Sequence, residues 1–192
     1  MKEARYITLA FNFFQLAKEA INEMEKQGNQ TLIVSGKRGN DDDGWDDYER
    51  NTRWNDSNIG VPILFNYYHG LELFMKGILI RVSGELKIKN HNLQDLYKEL
   101  IKSEYRIPKE LSQLFKKYIF SKNPFKDFFE DNGASANDFY TFLKYPESRT
   151  NKSFIYRSIR GGEEPGLTRY IEIRDDIIRI RQEMRNWLKR DD

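Results

Sequence analysis

The chain has 192 residues, enough to bury one core and short of the roughly 250 at which chains divide, so a single domain is expected. Its 32 lysines and arginines against 30 aspartates and glutamates leave a net charge of +2, which argues against a duplex-binding protein held to phosphates by bulk charge and leaves room only for local basic patches. With 39% apolar and 14% aromatic residues the composition is globular rather than disordered, and the absence of cysteine removes disulfides, thiolate metal sites, cysteine nucleophiles and thiol redox chemistry.

Tyr6, Leu9, Ala10, Phe13, Ala17, Ala20, Ile21 and Met24 recur at spacings of three and four, which predicts an amphipathic first helix ending at Gly28. Charged Lys2, Glu3, Arg5, Lys18, Glu19 and Glu23 interrupt this segment, so it contains neither a signal-peptide core nor a membrane span. A cytoplasmic protein without membrane attachment is expected. From 28 to 60 the helical period vanishes among glycines and an aspartate run, which predicts a long irregular polar insertion holding at most a short strand or turn at Leu32-Ile33-Val34.

Pro62, behind the cap candidates Ser57 and Asn58, opens a run from Ile63 to Val82 that is apolar almost all round and should form the most buried helix, closed by Gly84. Asn92 with Asp95 reads as the start of the next helix, with Leu93, Leu96, Tyr97, Leu100 and Ile101 as its stripe, and another begins near Pro108. The aromatic tract Pro124 to Phe142, broken at Asn132-Gly133, reads as two short helices. Residues 145–166 read as irregular, with Phe154-Ile155-Tyr156 as a strand or docked loop and Gly161-Gly162 as a hinge. Thr168 is the expected cap of a last helix whose stripe is Ile171, Arg174, Ile177, Ile178, Arg181, Met184, Trp187 and Leu188. The expected fold is all-α, an up-and-down helical bundle with a long polar insertion after its first helix.

The segment Phe65-Asn66-Tyr67-Tyr68-His69-Gly70-Leu71-Glu72-Leu73-Phe74-Met75-Lys76-Gly77-Ile78-Leu79, followed by His91-Asn92-Leu93-Gln94-Asp95-Leu96-Tyr97, resembles the HEPN-like superfamily of prokaryotic helical domains. There a helix carrying a glutamate and a lysine a turn apart precedes one that opens with histidine, asparagine or aspartate, and leucine. Phe142-Leu143-Lys144-Tyr145-Pro146 looks like the arginine-tyrosine-proline element of some members. The resemblance implies a helical bundle that often dimerises, and a place among ribonuclease toxins, defence proteins or the non-catalytic partners of nucleotidyltransferases. The ribonucleases of the superfamily carry an arginine, four to six residues, then a histidine. That motif is missing here, because Arg53 lies 16 residues before His69 and Arg81 lies 10 before His91. Arg185-Asn186 resembles its start, but position 190 is Arg190. The expectation is therefore a non-catalytic HEPN-like domain binding RNA, a nucleotide or a partner protein, without a cofactor. A divergent metal-independent ribonuclease using His69 or His91 with Arg53 or Arg149, and a self-associating module, are the alternatives.

His69, Glu72 and Lys76 share one helical face by spacing, with Glu72 and Lys76 in the orientation that favours an ion pair. They line a polar pocket, or they form a buried pair tying the helix to its neighbours. His91 stands at a helix start, where it either bonds a turn carbonyl or acts as a proton carrier. The run Asp41 to Asp47 lacks the ligand spacing of a calcium loop and reads as a solvated acidic loop, so no metal is expected. Arg149, Arg157 and Arg160, interleaved with aromatics, and Arg179, Arg185 and Lys189 on the last helix are candidate phosphate contacts, the latter also serving as ordinary helix-end charges. Arg181 falls on the apolar stripe and is expected to pair with a carboxylate within the bundle or across a dimer.

Overall fold

The computed structural model describes residues 2–31, 41–102, 107–120, 122–161 and 163–189. They form an all-α bundle of α1 (Lys2–Lys26), α2 (Asp41–Thr52), α3 (Asp56–Ser83), α4 (Leu93–Leu100), α5 (Lys109–Ile119), α6 (Lys126–Asp131), α7 (Phe139–Phe142) and α8 (Glu163–Leu188). Short 3-10 turns stand at Ala136–Asp138 and Arg157–Ile159. No strand occurs among the described residues. Of the two readings of Phe154-Ile155-Tyr156 the loop holds, with a single bridge between Glu147 and Ser153 beside it, and Leu32-Ile33-Val34 lies outside the described residues.

Helix α3 is the axis of the fold. Every residue from Gly70 to Ile80 is buried, as an apolar run of this length requires, and α1 packs along it more extensively than any other pair of elements. Two glycines permit that approach. A β-carbon at Gly70 would lie 2.7 Å from the Phe14 ring, and one at Gly77 would lie 2.6 Å from Ile7, so α1 sits closer to α3 than side chains would allow. This close seat rotates α1 relative to the expected stripe: Phe14 is buried with Ala10, Ala17, Ile21 and Met24, whereas Leu9 is 45% exposed.

Three boundaries differ from the periodicity. The polar insertion contains the helix α2, whose charged residues leave no apolar stripe from which to read it. Helix α3 starts at Asp56, capped by the Asn55 side chain accepting from the Asn58 N–H at 3.0 Å, so that Pro62 lies inside the helix and Ser57 and Asn58 do not cap it. Helix α8 starts at Glu163, with Thr168 well inside. The ends that carry glycine or asparagine signals fall where expected. Gly84 closes α3 with φ 78°, Asn92 caps α4 by accepting from the Asp95 N–H, and Gly133 with φ 66° separates the aromatic helices.

A buried polar clasp closes one end of the bundle. The Asp56 N–H donates to Asn29 Oδ1 at 2.7 Å, Asn29 Nδ2 donates to Asp56 Oδ2 at 3.1 Å, and the Gly161 N–H donates to the same oxygen at 2.7 Å. The end of α1, the start of α3 and the approach to α8 therefore share one carboxylate. Gly161 is part of this packed joint, with no room for a β-carbon against Gly166, rather than a free hinge; Gly162 lies outside the described residues.

The buried face of α8 consists of Tyr170, Ile173, Asp176, Ile177, Ile180, Met184 and Trp187, which leaves Ile178 half exposed. Asp176 is the reason for the shift. It is buried, it accepts from Lys117 Nζ and from the Tyr118 hydroxyl at 2.8 Å, and it draws its side of α8 onto α5. Arg181 consequently meets no carboxylate among the described residues. Its guanidinium lies 5.5 Å from the Phe11 ring centre and donates to Gln15 Oε1 at 3.3 Å, so within the bundle a cation–π contact and an amide stand in place of an ion pair.

Candidate functional site: a buried carboxylate and two histidines

The most buried stretch of α3 holds a carboxylate. Glu72 has a side chain only 1% exposed, and Lys76, one turn on, donates to its Oε1 at 2.5 Å. From the turn before α4, His91 brings Nδ1 within 3.0 and 3.1 Å of the two carboxylate oxygens. His69, one turn earlier on α3, has Nδ1 3.4 Å from Glu72 Oε2, inside ion-pair distance but not aligned for a hydrogen bond. One carboxylate thus faces three nitrogen groups. Burial by itself pushes the Glu72 carboxyl up, and the surrounding His69, Lys76 and His91 outweigh it, holding the group down at about 2.

A carboxyl held below its ordinary value of 4.5 contributes stability that is present above about pH 4.5 and is lost as the pH falls toward 2. The stability difference between the wild type and Glu72→Gln, read by urea unfolding, should therefore narrow across that window. A constant difference would show that the fold holds the Glu72 carboxyl no lower than the unfolded chain does.

Both imidazoles are packed by aromatic rings. His91 stacks on Tyr140 from α7, with ring centres 4.2 Å apart and planes 15° from parallel. His69 lies parallel to Phe65 at 5.6 Å and takes Phe13 edge-on at 4.6 Å. The Tyr140 hydroxyl accepts from Lys144 Nζ at 3.1 Å, and the same ammonium stands 5.3 Å from the Tyr145 ring centre. Beyond Tyr140 opens a cleft of about 450 Å³ lined by Tyr140, Thr141, Tyr145, Pro146, Glu147, Ser148 and Arg149.

His69, Glu72 and Lys76 share the predicted face, and the ion pair is buried as one of the two readings requires. His91 bonds to Glu72 rather than to a turn carbonyl, which corrects the capping reading and joins it to the same cluster. Arg149 lines the cleft, but Arg157 and Arg160 do not, since the turn that carries them packs against α6 and α3. Arg157 also has Nε 3.7 Å from Asp131 Oδ2. On α8, Arg179 lies 3.3 Å from Asp176 Oδ1, whereas Arg185 and Lys189 face a separate groove of about 270 Å³ with Ile178. Arg53 is an exposed residue of the turn between α2 and α3, bonded to neither histidine. The backbone of the Asp41 to Asp47 run is helical, and no group of three metal-ligating side chains occurs among the described residues.

The residues that sequence reasoning missed are Tyr140 and Lys144 beside His91, and Phe13 and Phe65 around His69. Their signals were the aromatic tract for Tyr140, the Lys144-Tyr145-Pro146 element for Lys144, the stripe of the first helix for Phe13 and the apolar segment of α3 for Phe65. No helix of the described residues is long and apolar enough to cross a membrane. No protein family, curated protein or solved structure matches this chain in comparison. Fold and site together define an all-α helical bundle with a buried carboxylate–histidine cluster beside an aromatic cleft that carries Arg149 and Glu147.

Proposed function

We propose that the protein is a HEPN-like binding domain whose cleft beside Tyr140 takes single-stranded RNA or a nucleotide. One observation carries this reading: a single cleft offers the ring of Tyr145, 48% exposed, together with Arg149 and with Lys144 at its rim. An exposed aromatic face accepts a base of any identity, and a planar guanidinium suits a phosphate. On the resemblance, such a domain works as a homodimer or beside a nucleotidyltransferase-type partner in a defence or toxin–antitoxin setting.

Fluorescence anisotropy with a labelled uridine decamer tests the reading. Tyr145→Ala should weaken binding by about 1–3 kcal/mol, the contribution of a stacked base. Arg149→Gln should lower the salt slope by roughly 0.7, the share of one phosphate on a single strand. Binding that ignores both changes and is lost on replacing Arg185 and Lys189 would move the site to α8.

A second reading, a divergent metal-independent ribonuclease, is favoured by the Glu72–His91 bond. A buried carboxylate that holds Nδ1 of an imidazole and leaves Nε2 outward is the arrangement that orients a general base. Cleavage of the decamer by wild-type protein, abolished in a folded His91→Ala variant, would establish it.

A further inference from the structure

Glu72 occupies Nδ1 of His91 through both of its oxygens, which leaves Nε2 as the only nitrogen of that ring open to a ligand. The ring is half exposed and shares Tyr140 with the cleft. Against it stand Glu72, which also holds Lys76 and His69 on α3, and Tyr140 from α7 with Lys144 just beyond, while α4, which follows it, carries Asp95 in its first turn. A neutral imidazole whose Nδ1–H donates to a carboxylate presents a lone pair at Nε2, which repels phosphate oxygen. An imidazolium presents an N–H there, which attracts it.

We propose that His91 is the phosphate-contacting residue of this cleft and Glu72 its positioning residue, so that nucleoside phosphates bind with uptake of a proton at His91 Nε2. This rests on the reading of the cleft as a nucleotide site. The phosphate lies between Nε2 and the cations Lys144 and Arg149, and the base lies on Tyr145. Histidine is the side chain that ordinarily changes charge between pH 5 and 8; a monophosphate also loses its second proton near about pH 6 whereas the internal diesters of RNA do not, so a pH dependence seen with the decamer belongs to the two histidines. They differ in access. The ring of His69 is enclosed by Phe13 and Phe65 and its side chain is 20% exposed, against 49% for His91.

The test measures binding of adenosine monophosphate and of the uridine decamer by wild-type protein from pH 5.5 to 8. The affinity of whichever ligand binds should fall by up to about tenfold per pH unit through the histidine range, as one coupled proton requires. Binding of the monophosphate identifies a free nucleotide as the source of the phosphate; binding of the decamer alone identifies RNA. Either supports the shared chemistry. His91→Gln should bind no more tightly at pH 5.5 than at pH 8, while His69→Gln should keep the wild-type pH dependence. Glu72→Gln reports positioning: ring-nitrogen NMR should show the Nδ1–H tautomer of His91 in the wild type at pH 8 and a mixture in the variant. Should that variant fail to fold, the wild-type tautomer alone decides, and an Nε2–H form would overturn the positioning role. A pH dependence that survives His91→Gln with binding intact overturns the inference and leaves the cleft reading standing. No binding of either ligand at any pH overturns both.

Discussion

Replacing Glu72 by alanine should destabilise the protein by about 3–5 kcal/mol, the usual loss when one partner of a buried ion pair is removed. The reason lies in what remains. Lys76 is buried, its Nζ is held to Glu72 at 2.5 Å, and α3 offers apolar neighbours on either side. Without the carboxylate the ammonium must lose its proton, drag water inward or move out of its packed position. The double variant Glu72→Leu/Lys76→Met separates this from loss of packing, because replacing both charges by apolar groups of similar shape is often neutral or stabilising. Urea unfolding should therefore show the double variant well above Glu72→Ala. A double variant as weak as the single one would assign the cost to the His91 and His69 contacts instead.

Leu71→Ala should cost about 2–5 kcal/mol. Leu71 is fully buried beside Gly70, one of the two glycines at which α1 and α3 approach closely. A close helical seat relaxes poorly around a cavity, because the glycines leave no side chains to shift into it. Equilibrium unfolding checks the value, and a loss below about half a kilocalorie would place this turn of α3 outside the core.

Much of the fold follows from local chemistry. The apolar run after Pro62 could only be a buried helix, and Gly84, Asn92 and Gly133 mark ends that a left-handed residue or a side-chain cap must make. What periodicity misplaced has tertiary causes. Asn55 outcompetes Ser57 and Asn58 as the cap because the next residue, Asp56, is fastened to Asn29 and Gly161, contacts 27 and 105 residues away. Helix α2 carries no stripe, so its charged sequence resembles a loop. Helix α8 turns to bury Asp176 against Tyr118 and Lys117, whose attraction for a carboxylate is invisible in the spacing of isoleucines.

The candidate site divides in the same way. That Glu72 and Lys76 pair on one face with His69 nearby is a matter of helical pitch, and the sequence by itself determined it. That His91, 19 residues on, lends its Nδ1 to the same carboxylate, and that Tyr140 then stacks on the imidazole at the mouth of a cleft, only the tertiary structure decided. A buried carboxylate must be satisfied by whichever donors the packing brings within reach, and pitch along one helix carries no information about what a second helix places opposite it.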